Sequence, residues 1–212
     1  MTGVQTCALP ICGATDPRLA WFTDKRFLRA LSHAIDKRGM IETIFYGFGA
    51  PATAYIAEAN RLYHDPDVPD PDYDLEKAGR LLEEAGYADR DGDGWREDAA
   101  GNRVEFSLAT NAGNFLRERM CSILREDWTA LGLKVNFRPQ SFQSLVERLQ
   151  STFDWDAILI GFTGSIEPNN GANFLRSSGN LHLWNPRQST PATPWEAEID
   201  RLLDEGSREL DP

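Results

Sequence analysis

No apolar run in this 212-residue sequence approaches the ~18 residues that a membrane-spanning helix needs. The longest such stretches are strand-sized, so no segment reads as a span. Basic residues are also scarce, with 22 Lys and Arg against 33 Asp and Glu for a formal charge of -11. Nucleic acid is held by clustered cations that displace counterions, and it is excluded as a partner on that ground. The three histidines, His33, His64 and His182, are dispersed, and none sits at a metal-ligand spacing from another His or from a Cys. Neither a Gly-x-Ser-x-Gly elbow, nor a phosphate-cradling glycine loop, nor a dinucleotide fingerprint occurs. These gaps leave no catalytic constellation and imply no cofactor.

Cysteine is sparse too, with only Cys7, Cys12 and Cys121, and their positions argue against a disulfide framework. Cys7 lies within, and Cys12 at the edge of, an N-terminal stretch that matches no structural pattern. The run Thr2-Gly-Val-Gln-Thr-Cys-Ala-Leu-Pro-Ile11 lacks the basic start and apolar core of a signal peptide. Written back into codons, it reproduces a common short-read sequencing adapter with GTG read as Met1. Residues 1–12 are therefore expected to be non-native and residues 13–212 to be the genuine chain. The far end is expected to be interrupted as well, because Asp211-Pro212 looks like the cap and first turn of another helix. Cys121 then falls in an amphipathic helical stretch and reads as a buried, inert thiol.

What is present is the material of a folded lobe: 41% hydrophobic residues, 10% aromatic and six Trp. Residues 23–38 carry Phe27, Leu28, Leu31, Ala34 and Ile35 at helical spacing, and Gly39 is expected to end that helix. A short helix over 40–46 and an aperiodic, proline-interrupted crossing over 47–72 follow. Residues 74–85 read as a capped helix stopped by Gly86. The rhythm then changes to strand 104–109, helix 115–131, strand 133–138, helix 142–150 and strand 157–162. Crossovers of that length allow parallel pairing, and apolar strand runs suggest a sheet covered on both faces, which makes an α/β fold. A last helix is expected over 195–208.

Ligands of open α/β sheets bind outside the carboxyl ends of the strands. Two loops have that address. The first, Thr110-Asn111-Ala112-Gly113-Asn114, leaves the first strand. The second, Thr163-Gly164-Ser165-Ile166-Glu167-Pro168-Asn169-Asn170-Gly171, is too long and glycine-rich for a minimal turn. Asn and Gly also make ordinary turns and caps, and that plainer reading stands beside the functional one. His182 lies beyond the third strand, near the same address. Elsewhere, Asp89-Arg-Asp91-Gly-Asp93-Gly94 matches the first half of an EF-hand calcium loop, but position twelve is Ala100 in place of a bidentate Glu. An acidic turn between helix and strand is the favoured reading of Asp89, Asp91 and Asp93, with calcium as the alternative.

Several of these segments, taken in order, carry a family likeness. Phe22-Thr-Asp-Lys-Arg-Phe-Leu-Arg-Ala-Leu-Ser-His-Ala-Ile-Asp36 is followed by Gly47 to Pro51, then Tyr73-Asp-Leu-Glu-Lys-Ala78 and Leu81-Leu-Glu-Glu-Ala-Gly-Tyr87. The acidic turn and Phe153-Asp-Trp-Asp156 ahead of a strand ending Gly161-Phe162 complete the series. The chain resembles the extracytoplasmic solute-binding proteins of ABC importers, in the dipeptide/oligopeptide-binding class (family 5). The resemblance implies a type II periplasmic-binding fold in which two lobes close on a ligand, with this chain supplying most of the second lobe. It also implies a non-catalytic, monomeric protein outside the cytoplasm, in a periplasm or lipid-anchored at a cell surface. Its partners would be a small solute, such as a peptide, and a membrane permease. Peptide-binding members place an Asp in a Gly-Trp-x-Ala-Asp-Tyr-Pro-Asp-Pro run to pair with the peptide's α-amine. Here the run is Gly161-Phe-Thr-Gly-Ser-Ile-Glu-Pro168, so that position falls on Ser165 or Gly164 and only Glu167 offers a carboxylate. The expected ligand-binding residues are Asn111, Phe162, Gly164, Ser165 and Glu167, with Phe162 as an apolar wall. A truncated α/β enzyme using Glu167 or His182, or a calcium-stabilised surface module, are the competing readings.

Overall fold

The computed structural model describes residues 2–6, 16–162 and 167–209. Three aspartates set the opening. Asp16, Asp24 and Asp36 each turn a side-chain oxygen onto a backbone N–H ahead, starting α1 (Pro17–Thr23), α2 (Lys25–His33) and α3 (Lys37–Phe45). The single helix expected over 23–38 is therefore several pieces, because Asp24 and Asp36 cap where the apolar spacing alone runs on. Gly39 does not end a helix. It lies inside α3, where an added Cβ would collide with the Asp36 carboxylate that caps Gly39 N–H. Tyr46, at φ 54°, ends α3 in the left-handed region.

Beyond the expected irregular crossing, α4 (Leu75–Glu84) begins on Asp74, whose side chain accepts from Lys77 N–H. Then come β2 (Glu105–Asn111), α5 (Phe115–Ala130), β3 (Lys134–Gln140), α6 (Phe142–Glu147) with a π-turn to Thr152, and β4 (Ala157–Gly161). A short helix α7 (Ala172–Leu175) precedes α8 (Pro194–Gly206), which starts in a reciprocal capping box between Thr193 and Glu196. Residues Thr2–Thr6 form β1.

The sheet order is β1-β4-β2-β3, with β2 parallel to both β3 and β4 as the strand–helix alternation predicts. β1 runs antiparallel along the outer edge of β4. The sequence offered no pattern there. Backbone pairing asks only for extended chain, and an apolar edge strand such as β4 presents unpaired donors and acceptors that any such segment can fill. At the opposite edge, β3 carries Pro139, a residue that an edge strand tolerates because it need not donate.

Strand alternation divides the core in two. Phe106, Leu108, Val135, Ala157 and Leu159 face α5 and meet a large cluster built with Phe27, Leu31, Leu82, Leu124 and Trp128. Phe106 lies 5.7 Å from Trp128 and 5.3 Å from Phe22 between ring centroids, and the Trp128 indole N–H donates to the Leu31 carbonyl at 3.3 Å. Ala109, Ile158 and Ile160 face the other way and meet a smaller cluster with Leu145, Leu149, Trp155 and Leu183. The apolar run of β4 is thus buried on both sides, as its composition implied. Cys121 lies fully buried in the larger cluster, where loss of hydration pushes its thiol up to about 12, so it is inert at neutral pH.

Candidate ligand edge of the sheet

The connection from β2 departs into α5 on one face, and the connection from its neighbour β3 departs into α6 on the other. A crevice opens between the carboxyl ends of two such strands. Asn111 and Gln140 are register partners at that end, and Ala112 N–H closes the pair on the Gln140 carbonyl at 2.6 Å.

The loop after β2 spends its polar groups on itself. The Asn111 carboxamide oxygen accepts from the Arg117 guanidinium at 2.6 Å. Asn114 caps Arg117 N–H at 3.1 Å, and the Glu118 carboxylate accepts from Gly113 N–H at 2.7 Å. A negative side chain therefore already answers the positive end of α5. The geometry of Asn111 matches the plainer reading of this loop as a turn and cap.

Apolar surface at this edge is not marked by loop composition. Phe115 and Phe142, the first residues of α5 and α6, are 67% and 56% exposed, and Leu116 is 43% exposed. Bulky apolar side chains exposed beside the carboxyl ends of two parallel strands are what a ligand-covering surface needs. The available signal was a Phe directly after each strand-to-helix loop, at a position where a solvent-facing residue would be polar.

Phe162 is half-buried, and its ring meets Phe174 edge-on at 4.4 Å, with Tyr55 6.2 Å beyond Phe174. It leans on the smaller core cluster, so it is part packing and part wall. Glu167 is exposed and lines a cleft of about 710 Å³ against α8, with Tyr63, Leu175 and Leu202 among its walls. Asn111 does not line that cleft. Gly164 and Ser165 lie outside the described residues.

His182 is fully interior. It is 1% exposed, and its Nε2 lies 3.2 Å from Oε1 of Glu196, which is 2% exposed. The same Glu196 oxygen accepts from the Trp184 indole at 3.1 Å, while the other takes Ala192 N–H, Thr193 N–H and the Thr193 hydroxyl. Burial works to raise the Glu196 pKa, but these donors together outweigh it and hold the carboxyl down to about 2. The arrangement docks α8 and leaves no face open to a substrate.

Asp156, the last residue of the Phe153–Asp156 run, anchors one end of the sheet. Its Oδ2 takes both Ser107 N–H and the Ser107 hydroxyl, at 2.8 and 2.7 Å, and its Oδ1 takes Arg18 at 2.8 Å. The side chain supplies β2 with an acceptor immediately before β4 begins pairing at Leu108↔Ala157. In the acidic turn, Asp93 pairs with Arg103 and does not join Asp89 and Asp91; Glu97 does.

The chain belongs to the bacterial extracellular solute-binding proteins, family 5, whose middle-region model matches residues 15–182. It is 33% identical over 152 residues to the oligopeptide-binding protein AppA of Bacillus subtilis, covering 70% of this chain and 27% of that one. It is 28% identical over 187 residues to heme-binding protein A of Haemophilus influenzae, covering 87% and 31%. The structure of AppA from Bacillus subtilis in complex with a nonapeptide superposes with a TM-score of 0.77 at 26% identity, over 100% of this chain and 41% of that one. The chain thus spans less than half the length of the relatives it matches. Its architecture is part of the type II periplasmic-binding fold. Proteins of this family are substrate-binding and extracytoplasmic, and no helix among the described residues is long and apolar enough to cross a membrane.

Proposed function

We propose that this chain is the second lobe of the substrate-binding component of an ABC importer, closing with a partner lobe over a peptide or similar small solute for delivery to a membrane permease. The observation that carries the reading is the exposed apolar edge at Phe115, Leu116 and Phe142, set at the carboxyl ends of β2 and β3 in a chain of this family. Phe162 contributes wall, and Glu167 is the carboxylate within reach of a ligand amine in the segment where peptide-binding relatives carry Asp. Gly164 and Ser165 complete that segment, and Asn111 acts by holding the β2 loop. The protein works as a monomer, without catalysis, on the outer side of the membrane. Residues 1–12 are translated adapter in this reading.

The test uses the full-length protein. Purified without refolding and analysed by mass spectrometry, it should release intact peptide or another small solute, whereas turnover products from an incubated peptide library would sink the binding reading. Acetylating the N-terminus of a bound peptide should weaken it at least about tenfold, the loss of one charge-assisted contact. Glu167→Gln should remove that discrimination. Equal affinity for free and acetylated peptide in the parent protein would remove Glu167 from the amine site.

A further inference from the structure

The turn between α4 and β2 carries a site that the binding reading does not use. Residues 88–97 form a hairpin closed by Ala88 and Glu97, which exchange backbone hydrogen bonds at 3.1 and 2.9 Å, and Glu97 bridges onward to Arg103. The fold brings one carboxylate oxygen each from Asp89, Asp91 and Glu97 within 4.8 Å of one another. Asp89 and Asp91 are exposed, but Glu97 is only 7% exposed, and its Oε1 is buried with no hydrogen-bond partner. An ionised oxygen so placed is expensive to leave unanswered.

Among the described residues, every donor to these three carboxylates is a backbone N–H. Gly92 and Gly94 donate to Asp89, Asp93 donates to Asp91, and Arg90 N–H donates to Oε2 of Glu97. The neighbouring guanidinium groups are committed elsewhere: Arg90 to the Gly86 and Asp98 carbonyls, Arg96 to the Leu131 and Tyr87 carbonyls and Glu83, and Arg103 to Asp93. Among the described residues, three negative charges therefore converge without a side-chain cation. Hard, closely spaced carboxylate oxygens of this kind suit a divalent ion bound at about 2.3–2.6 Å, the calcium range.

We propose that Asp89, Asp91 and Glu97 bind calcium, with water completing the sphere and Asp93 excluded by its pairing with Arg103. The site differs from the EF-hand alternative in both directions. It drops the third aspartate of the motif, and it replaces the missing twelfth-position Glu with a buried one that the hairpin folds back. Bound there, calcium pins the hairpin whose neighbour Asp98 accepts the Trp21 indole N–H at 2.9 Å, tying the α4–β2 connection to α1.

Calorimetric titration of the EDTA-treated 212-residue chain with calcium chloride tests this directly. One site is expected with Kd on the order of 10⁻⁴–10⁻³ M, the range of sites with few protein ligands, and a rise in Tm of roughly 3–8 °C at saturation. Glu97→Gln and the exposed Asp91→Asn should each weaken binding at least about tenfold while keeping the calcium-free circular dichroism spectrum, and Asp93→Asn should bind within about threefold of the parent. The absence of both heat and Tm shift in the folded parent chain overturns the proposal. So does loss of binding in Asp93→Asn with retention in Glu97→Gln, which would restore the EF-hand pattern. An equal Tm shift from magnesium would overturn the assignment to calcium.

Discussion

The two faces of the sheet solve the same burial problem with different chemistry. The α5 face is closed mainly by apolar contact, through Phe106, Leu108 and Leu159 against Phe27, Leu124 and Trp128, with indole hydrogen bonds at its margin. The opposite face has a small apolar patch around Leu145, Ile158 and Leu183, flanked by charge: Asp156 with Arg18 and Ser107, and Glu196 with His182 and Trp184. Apolar packing is non-directional and survives small shifts, whereas a buried carboxylate holds its position only while each donor stays in place. The first face should therefore be sensitive to volume and indifferent to pH. The second should respond to pH as well as to volume.

The largest effect is expected from emptying the apolar face. Trp128→Ala removes a side chain that is 1% exposed and packed on Phe106, and it should cost about 3–5 kcal/mol, read as a fall in the urea midpoint that is the same at pH 7 and pH 5. On the charged face, Asp156→Ala should cost about 1–3 kcal/mol, because it takes the acceptor from Ser107 N–H and hydroxyl and removes one of the two carboxylates that hold Arg18, which keeps Asp16. Asp156→Asn should recover part of that, since the amide oxygen still accepts from one of them. If Asp156→Ala proved as mild as an exposed substitution, the charged face would not be holding the sheet.

Acid should separate the faces more gently. The folded Glu196 carboxyl lies at about 2 against an ordinary 4.5, so its contribution is fully present above about pH 4.5 and is lost as pH falls toward 2. Allowing for solvent screening, that contribution is on the order of 2 kcal/mol. In Glu196→Gln the slope of stability against pH between 4.5 and 2 should flatten by that amount. An unchanged slope, followed by urea unfolding across the same range, would refute the role given to this carboxylate.

The sequence showed the apolar face more clearly than the charged one, for a physical reason. Periodicity reports burial, so β4, α5 and α8 were legible to within a few residues, and the double-sided run Ile158-Leu-Ile160 predicted a covered parallel strand. Aspartate caps interrupt helices without disturbing apolar spacing, which is why the break between α2 and α3 was expected at Gly39 and falls at Asp36. Asp156 and Arg18 are 138 positions apart, and nothing local marks either as the other's partner. His182 was singled out by its place after β4, but only the docking of α8 brings Glu196 to it and closes it from solvent. At the ligand edge, loop composition pointed to Asn111. The structure instead turns Asn111 onto Arg117 and leaves the phenylalanines beside it exposed.

Those phenylalanines supply the smallest effect and the sharpest contrast with the core. Phe106 and Phe142 are the same residue type, yet one is 2% exposed and the other 56% exposed. Phe142→Ser should therefore change stability by less than about 0.5 kcal/mol, since the side chain keeps most of its hydration in the folded state and little transfer energy is lost. Phe115→Ser, at 67% exposure, should behave the same way even though Arg119 lies 5.7 Å over the ring, an exposed cation–π contact of small value. Paired urea curves for the parent and the double substitution would measure both at once. A loss above about 1.5 kcal/mol would show that these rings support the fold rather than face a ligand. A neutral result leaves an apolar surface with no part in stability, which is the expectation for side chains kept to meet something that binds there.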